Sequence, residues 1–245
     1  MMSENINLVE VFSSIQGEGL YVGCRQVFVR LAGCNIECAY CDTAASRKIT
    51  SHCRIESISG QRDFVNLCNP LVVDDLAKRI NSLLLHPHHS VSLTGGEPLC
   101  QAAALNELAP QIKGLVYLET NGTMPDELAK VVANIDIISM DIKLPSITGR
   151  YFWNEHAKFL QIAKQRKVFV KLVLSGETSH EELDRALALI ADVDNEIPLI
   201  LQPVTPINGC SPVSSDALLA WQSLALTVLK DVRVIPQTHK YLGQL

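Results

Sequence analysis

Residues 27–43 read Val27-Phe28-Val29-Arg30-Leu31-Ala32-Gly33-Cys34-Asn35-Ile36-Glu37-Cys38-Ala39-Tyr40-Cys41-Asp42-Thr43. The first five are apolar except for Arg30 and predict a buried strand. Gly33 ends the run, and Cys34, Cys38 and Cys41 follow within eight residues. Cysteine thiolate is the usual ligand of a [4Fe–4S] cube, and three protein ligands on four irons leave one iron open to another molecule. A structural zinc site wants four closed ligands. The competing readings are a zinc site completed by Cys24, Cys53 or Cys68, and three unconnected thiols. The Cys-x3-Cys-x2-Cys spacing, with Tyr40 directly before the third cysteine, favours the cluster.

Beyond this loop, strand and helix alternate. Apolar runs predict strands at 91–94, 115–119, 135–141, 168–174, 197–202 and 232–235, and helical periodicity appears at 71–85, 101–112, 126–133, 152–166, 179–191 and 214–229. Ser179 and Glu182 make a capping box at one helix start. Such alternation implies parallel pairing through right-handed crossovers. Six or seven units fall short of a full eight-unit barrel. The expected fold is therefore α/β, an incomplete, open (β/α)6-type barrel with a parallel sheet; a doubly wound open sheet is the rival. In either, chemistry belongs at the carboxyl ends of the strands. Residues 1–245 read as one domain, with the barrel core at 26–245, an N-terminal extension, and a polar insertion at 44–70 on the rim. Cys53 and Cys68 in that insertion, with His86-Pro87-His88-His89, invite a second metal site, but their wide spacing fits better a surface turn with exposed imidazoles.

A hydrophobic content of 47 % against 19 % charged residues is that of a globular chain rather than a disordered one. The net charge of −5 argues against a broad basic face for nucleic acid. The N-terminus lacks a basic start followed by a long apolar core, and the apolar stretches are too short to span a bilayer. The expectation is a cytoplasmic protein with no membrane contact. In a reducing compartment the scattered Cys24, Cys53, Cys68, Cys100 and Cys210 read as packing residues or free thiols.

The cysteine loop resembles that of the radical S-adenosylmethionine superfamily. A second motif agrees: Ser92-Leu93-Thr94-Gly95-Gly96-Glu97-Pro98 follows a strand one β/α unit later and is similar to the superfamily's loop for the methionine amino group. The resemblance implies that the open iron chelates S-adenosylmethionine and that an electron releases a 5′-deoxyadenosyl radical. The N-terminal Glu10-Val11-Phe12-Ser13-Ser14-Ile15-Gln16-Gly17-Glu18-Gly19, the C-terminal Gln237-Thr238-His239-Lys240-Tyr241-Leu242 and Cys41-Asp42-Thr43 look like those of the 7-carboxy-7-deazaguanine synthases.

That narrower resemblance implies a lyase acting on 6-carboxy-5,6,7,8-tetrahydropterin in 7-deazapurine and queuosine synthesis. Three cofactors are implied: a [4Fe–4S] cluster, S-adenosylmethionine and Mg²⁺. A flavodoxin-like electron donor and a homodimer are implied as partners. Carried onto this chain, Cys34, Cys38 and Cys41 would hold the cluster and Thr43 the Mg²⁺. Tyr40, Cys41, Asp42 and Gly96 would meet S-adenosylmethionine, together with Ser139, Met140 and Asp141 on one strand end and Gln202, Pro203, Val204 and Thr205 on another. Ile15, Gln16, Gly17, Thr94 and the Leu245 carboxylate would line the pterin. Arg30 would pair its carboxylate, since a planar fork meets a carboxylate in two parallel bonds. The rival functions are a radical enzyme that activates a glycyl-radical partner, and a non-catalytic metal-binding module.

Overall fold

The computed structural model describes residues 3–207 and 209–244. Strands β1 (Asn5–Ile6) and β2 (Leu8–Ile15) precede β3 (Arg25–Leu31), and β4 (His52–Glu56) and β5 (Phe64–Cys68) form a hairpin. The short β6 (Leu71–Val72) runs into α1 (Val73–Leu83). Strand and helix then alternate: β7 (Ser90–Gly95), α2 (Ala102–Leu108), β8 (Val116–Thr120), α3 (Pro125–Val131), β9 (Ile137–Asp141), the one-turn α4 (Pro145–Thr148), α5 (Trp153–Ala163), β10 (Lys167–Leu174), α6 (His180–Val193), β11 (Leu199–Pro203), α7 (Ser215–Ala225), β12 (Val232–Val234) and α8 (Thr238–Leu242).

One ten-stranded sheet has the order β12-β11-β10-β9-β8-β7-β3-β2-β4-β5. Every pairing from β3 through β7 to β12 is parallel. This is the incomplete barrel that the alternation predicts. Helices cover its outer face because their apolar stripes have nowhere else to go: in α1, Leu76, Ile80 and Leu83 are buried while Asp74, Asp75, Lys78 and Arg79 face water. Helix α6 starts at the expected capping box, in which the Ser179 hydroxyl accepts from Glu182 N–H and Glu182 accepts from Ser179 N–H.

Two local expectations change. Residues 44–70 are not a rim appendage; their hairpin extends the main sheet beyond β2. The reason is a short period-two pattern, in which Cys53 and Ile55 are buried against the core while His52 and Arg54 face the other way. Nor is 86–89 a freely exposed turn. His88 Nε2 lies 2.8 Å from Ser13 Oγ, and the His89 ring packs on Tyr21 at 4.7 Å between centroids. Burial lowers the pKa of both imidazoles.

The turn between β2 and β3 folds under the barrel and closes its floor. Tyr117, Ile137, Phe169 and Ile200 point inward and meet Leu20, Tyr21 and Ile235. Tyr21 sits edge-on to Tyr117 at 5.7 Å and tilted against Phe169 at 6.2 Å. Offset and edge-to-face contacts suit the ring quadrupoles. The apolar floor leaves the space above it, at the carboxyl ends of the strands, for polar groups.

Candidate active site

A cavity of about 810 Å³ opens above this floor. It is lined from the ends of β3, β7, β8, β9, β10 and β11, from the β2–β3 turn below, and from the C-terminal tail above. Cys34, Cys38 and Cys41 all border it, with Tyr40, Asp42 and Thr43 between and beyond them. Burial raises the thiol pKa of Cys34 and Cys38. Thr43 occupies an N-cap position, yet its side chain makes no capping hydrogen bond. Its carbonyl instead accepts from Ser46 N–H at 2.8 Å and from the Ser46 hydroxyl at 2.6 Å.

The glycines of the Gly95-Gly96-Glu97-Pro98 loop serve a contact that sequence alone does not reveal. A Cβ on Gly95 would lie 2.2 Å from the Leu31 carbonyl oxygen, and one on Gly96 2.1 Å from that of Gly33. The loop therefore presses on the backbone leading into the cysteines, and only glycine permits it. Glu97 N–H donates to the Gly33 carbonyl at 2.9 Å. The fully buried Glu97 carboxyl accepts from Leu99 N–H (3.0 Å), Thr120 Oγ1 (2.9 Å) and Asn121 N–H (2.7 Å). Burial pushes its pKa up to about 7 against those bonds. Asn121 Nδ2 in turn donates to Asn35 Oδ1 at 2.9 Å. Three strand ends are thus tied together through the cysteine loop.

Above that apolar floor the cavity wall is charged and paired. Lys171 Nζ lies 2.6 Å from Glu18 Oε2 and 3.2 Å from Asp141 Oδ1. Lys143 Nζ donates to Asp141 Oδ2 at 2.8 Å and to the Tyr40 hydroxyl at 3.2 Å. Burial alone would raise Glu18, but the Lys171 charge and hydrogen bonds from Lys171 and Gln237 outweigh it and hold Glu18 at about 2. Burial is likewise overridden at Asp141, which Lys143 and Lys171 hold below the usual carboxylate range. Glu119 accepts from Gln16 Nε2 (2.7 Å), Ser92 Oγ (3.1 Å) and Thr94 Oγ1 (3.0 Å).

The tail closes over this cavity. Thr238 N–H donates to the Gly17 carbonyl at 2.9 Å, and a Cβ on Gly17 would fall 2.3 Å from the His239 ring. Gln237 Nε2 donates to Glu18 Oε1 (2.8 Å) and Asp42 Oδ2 (3.0 Å), while its Oε1 accepts from Thr205 Oγ1 (2.7 Å). Lys240 Nζ pairs with Asp42 at 3.2 Å.

Of the residues singled out from sequence, Ile15, Gln16, Gly17, Arg30, Thr94, Gly96, Asp141, Gln202, Val204 and Thr205 also border the cavity. Met140 does not; its side chain is in the core, where a Cβ on Gly122 would meet it at 2.7 Å. Ser139 and Pro203 are also absent from the cavity wall. Leu245 lies outside the described residues. Cys100 is exposed rather than packed. Among the described residues no three His, Cys, Asp or Glu side chains are gathered to hold a metal ion, and Cys34, Cys38 and Cys41 share one cavity wall. Sequence reasoning passed over Lys171, Glu119 and Glu10. Each is a charged residue inside an apolar strand, the same signal that singled out Arg30.

A partial β/α barrel with three cysteines at the end of its first parallel strand, facing a Gly-Gly-Glu-Pro loop, defines a radical S-adenosylmethionine protein. The sequence model of the radical SAM superfamily matches residues 29–192. The chain is 45 % identical, over the full length of both, to 7-carboxy-7-deazaguanine synthase of Geobacter sulfurreducens. It is 38 % identical to that of Methanopyrus kandleri, covering 96 % of this chain and 92 % of the relative. The chain belongs to the 7-carboxy-7-deazaguanine synthase family of the radical SAM superfamily. The crystal structure of QueE from Escherichia coli shares the fold, with a TM-score of 0.64 at 23 % identity over 96 % of this chain and 95 % of that one. A radical SAM methyltransferase from Sphaerobacter thermophilus shares it more distantly, with a TM-score of 0.57 at 14 % identity over 86 % and 66 %.

Proposed function

We infer that this chain converts 6-carboxy-5,6,7,8-tetrahydropterin to 7-carboxy-7-deazaguanine with loss of ammonia, a step toward 7-deazapurines and the queuosine base of tRNA. The observation that carries this reading is the 45 % identity, over the whole of both chains, to a 7-carboxy-7-deazaguanine synthase. The cavity built around Cys34, Cys38 and Cys41 is consistent with it.

The residues present fit the implied cofactors. Three cysteines on one cavity wall are the donor set of an iron–sulfur cluster. Gln202 Oε1 is buried at the cavity wall and has no hydrogen-bond partner among the described residues, so it suits the amino group of an adenine. The uncapped Thr43 hydroxyl suits an oxygen-seeking Mg²⁺. In this reading Cys34, Cys38 and Cys41 hold the cluster. Tyr40, Asp42, Gly96, Ser139 to Asp141 and Gln202 to Thr205 hold S-adenosylmethionine, with Ser139, Met140 and Pro203 contributing backbone. Ile15, Gln16, Gly17, Arg30 and Thr94 hold the pterin, and the Leu245 carboxylate joins them. Bound together, cluster and S-adenosylmethionine supply one-electron cleavage and hydrogen abstraction at carbon.

The protein's own part is to bind, orient and exclude water. Gln16, Ser92 and Thr94 fix the Glu119 carboxylate, whose remaining lone pair, on Oε2, accepts from a ring N–H of a pterin. Lys171 and Lys143 hold Asp141 in its acceptor form, ready for the hydroxyl or ammonium groups of a ligand. The tail excludes water by closing on Gly17, Glu18 and Asp42. The electron comes from a donor of the flavodoxin type, and the enzyme is a homodimer. Among the described residues no helix is long and apolar enough to cross a membrane.

The test is anaerobic turnover. Protein reconstituted with iron and sulfide is mixed with 6-carboxytetrahydropterin, S-adenosylmethionine, Mg²⁺ and a reductant, and 7-carboxy-7-deazaguanine and ammonia are measured. Product whose formation is abolished by Cys38→Ser is the expected result. Cleavage of S-adenosylmethionine without deazaguanine would point instead to another radical enzyme. Stoichiometric zinc without acid-labile sulfide would point to a binding module.

A further inference from the structure

We propose that Arg54 is a specificity-determining residue of the substrate cavity: with Arg30 it forms a two-armed carboxylate clamp, and Glu10 is the positioning residue that aims both arms. This rests on the reading above that the substrate carries a carboxylate.

Three charged residues stand in one row across the sheet. Glu10 lies opposite Arg30 in the β2–β3 ladder and opposite Arg54 in the β2–β4 ladder. Side chains at such positions are direct neighbours on one face. The Glu10 carboxylate is buried, and each of its oxygens takes one guanidinium. Oε1 accepts from Arg30 Nε at 2.9 Å; Oε2 accepts from Arg54 Nε at 2.8 Å and Nη2 at 2.6 Å. One anion thus faces two cations, leaving one positive charge in excess.

A structural ion pair would need only one arginine. The second leaves a charge that a partly desolvated wall tolerates poorly until an anion arrives. That charge is reachable, because both arginines border the cavity. The Arg30 and Arg54 side chains are 17 % and 45 % exposed, against 9 % for Glu10. Arg30 meets Glu10 through Nε alone, so its two terminal nitrogens remain for a ligand.

Each fork is also backed by a ring. Phe64 lies under the Arg54 guanidinium at 4.4 Å and Phe12 under that of Arg30 at 5.6 Å. A ring on one face orients the planar fork in advance, so less ordering is needed when the ligand binds. A planar monoanion meets such a pair of forks edge-on. Arg30 continues the row to Thr94 in the β3–β7 ladder, which joins the clamp to the wall that would hold the pterin ring. Arg54 is carried by β4, so the hairpin of residues 52–68 takes part in the cavity and does more than extend the sheet.

The experiment measures equilibrium binding of two ligands to the reconstituted holoenzyme without reductant, by anaerobic calorimetry in the presence of S-adenosylmethionine and Mg²⁺. The ligands are 6-carboxytetrahydropterin and the uncharged 6-hydroxymethyltetrahydropterin. Arg54→Ala is expected to weaken the carboxylated ligand by about 10- to 100-fold, the scale of one charge-assisted contact, while the uncharged ligand changes less than threefold. Arg54→Lys, which keeps the charge without the fork, is expected to fall between wild type and Arg54→Ala; it is the variant read if the alanine protein does not fold. An unchanged Kd for the carboxylated ligand, or equal loss for both ligands, would reduce Arg54 to a counter-ion of Glu10 and overturn the clamp while leaving the proposed reaction intact. A wild-type protein that binds neither pterin would overturn both.

Discussion

Replacing Lys171 by methionine should cost the folded protein about 3 kcal/mol at neutral pH. The figure follows from Glu18, which is held at about 2 against an ordinary 4.5, with each pH unit of such a difference corresponding to about 1.4 kcal/mol. It agrees with the roughly 3–5 kcal/mol observed when one member of a buried ion pair is deleted. Asp141 keeps Lys143 as a partner at 2.8 Å, so the loss falls on Glu18. For a chain of this size about 3 kcal/mol lowers the melting temperature by roughly 6–12 °C. The pH dependence follows from the direction of the shift. Because the folded state depresses Glu18, its contribution is complete above the unfolded value near 4.5 and is lost as pH falls through about 2. The gap between wild type and Lys171→Met should therefore be widest above pH 5 and shrink toward pH 3. Thermal unfolding followed by far-ultraviolet circular dichroism, at one scan rate and at pH 7, 5 and 3, measures it. A drop below 2 °C at pH 7, or a gap that does not narrow in acid, would refute the account of Lys171 as the group that holds Glu18 charged.

Other outcomes follow from single contacts. Gly96→Ala places a methyl group 2.1 Å from the Gly33 carbonyl oxygen, so the two loops must separate; S-adenosylmethionine should bind at least ~10-fold more weakly in equilibrium dialysis, about the 1–3 kcal/mol of an overpacked contact. His156 is buried and held at about 4 by that burial, so it stays neutral in the folded chain while the unfolded chain takes a proton below about 6.5. Relative to His156→Gln, the wild type should consequently lose denaturant-derived stability as pH falls from 7 to 4. Ser179→Ala removes the capping hydroxyl that accepts from Glu182 N–H at 3.2 Å and should cost about 1 kcal/mol in urea titration with no change in ligand binding.

The parallel half of the fold was legible because its signals are local. Strands β7 to β11 are largely apolar runs buried on both faces, and the helices that follow them carry a stripe at helical spacing. Ser179 and Glu182 announce their helix because a capping box spans only four residues. Where signals were short or mixed, reading failed. Cys53-Arg54-Ile55 alternates for too few residues to stand out as a strand, so the hairpin joining the sheet beyond β2 read as an insertion. The two glycines after Thr94 were recognised, but their partner, the backbone of Leu31 and Gly33, is more than sixty residues away along the chain.

The chain by itself determined the chemistry at the rim: three thiols at a strand end, a Gly-Gly-Glu-Pro loop one unit later, and a strand-borne Arg30. Residue type and spacing suffice for these, because ligands within one loop are close whatever the rest of the molecule does. Only the tertiary structure decided how charge is arranged beneath them. Glu18 meets Lys171 across 153 residues, Gln237 meets Asp42 across 195, and Glu10 comes to lie between Arg30 and Arg54 through two separate ladders. Such pairings are set by sheet order and by closure of the barrel, and no periodicity along the chain encodes which distant charge will neutralise which.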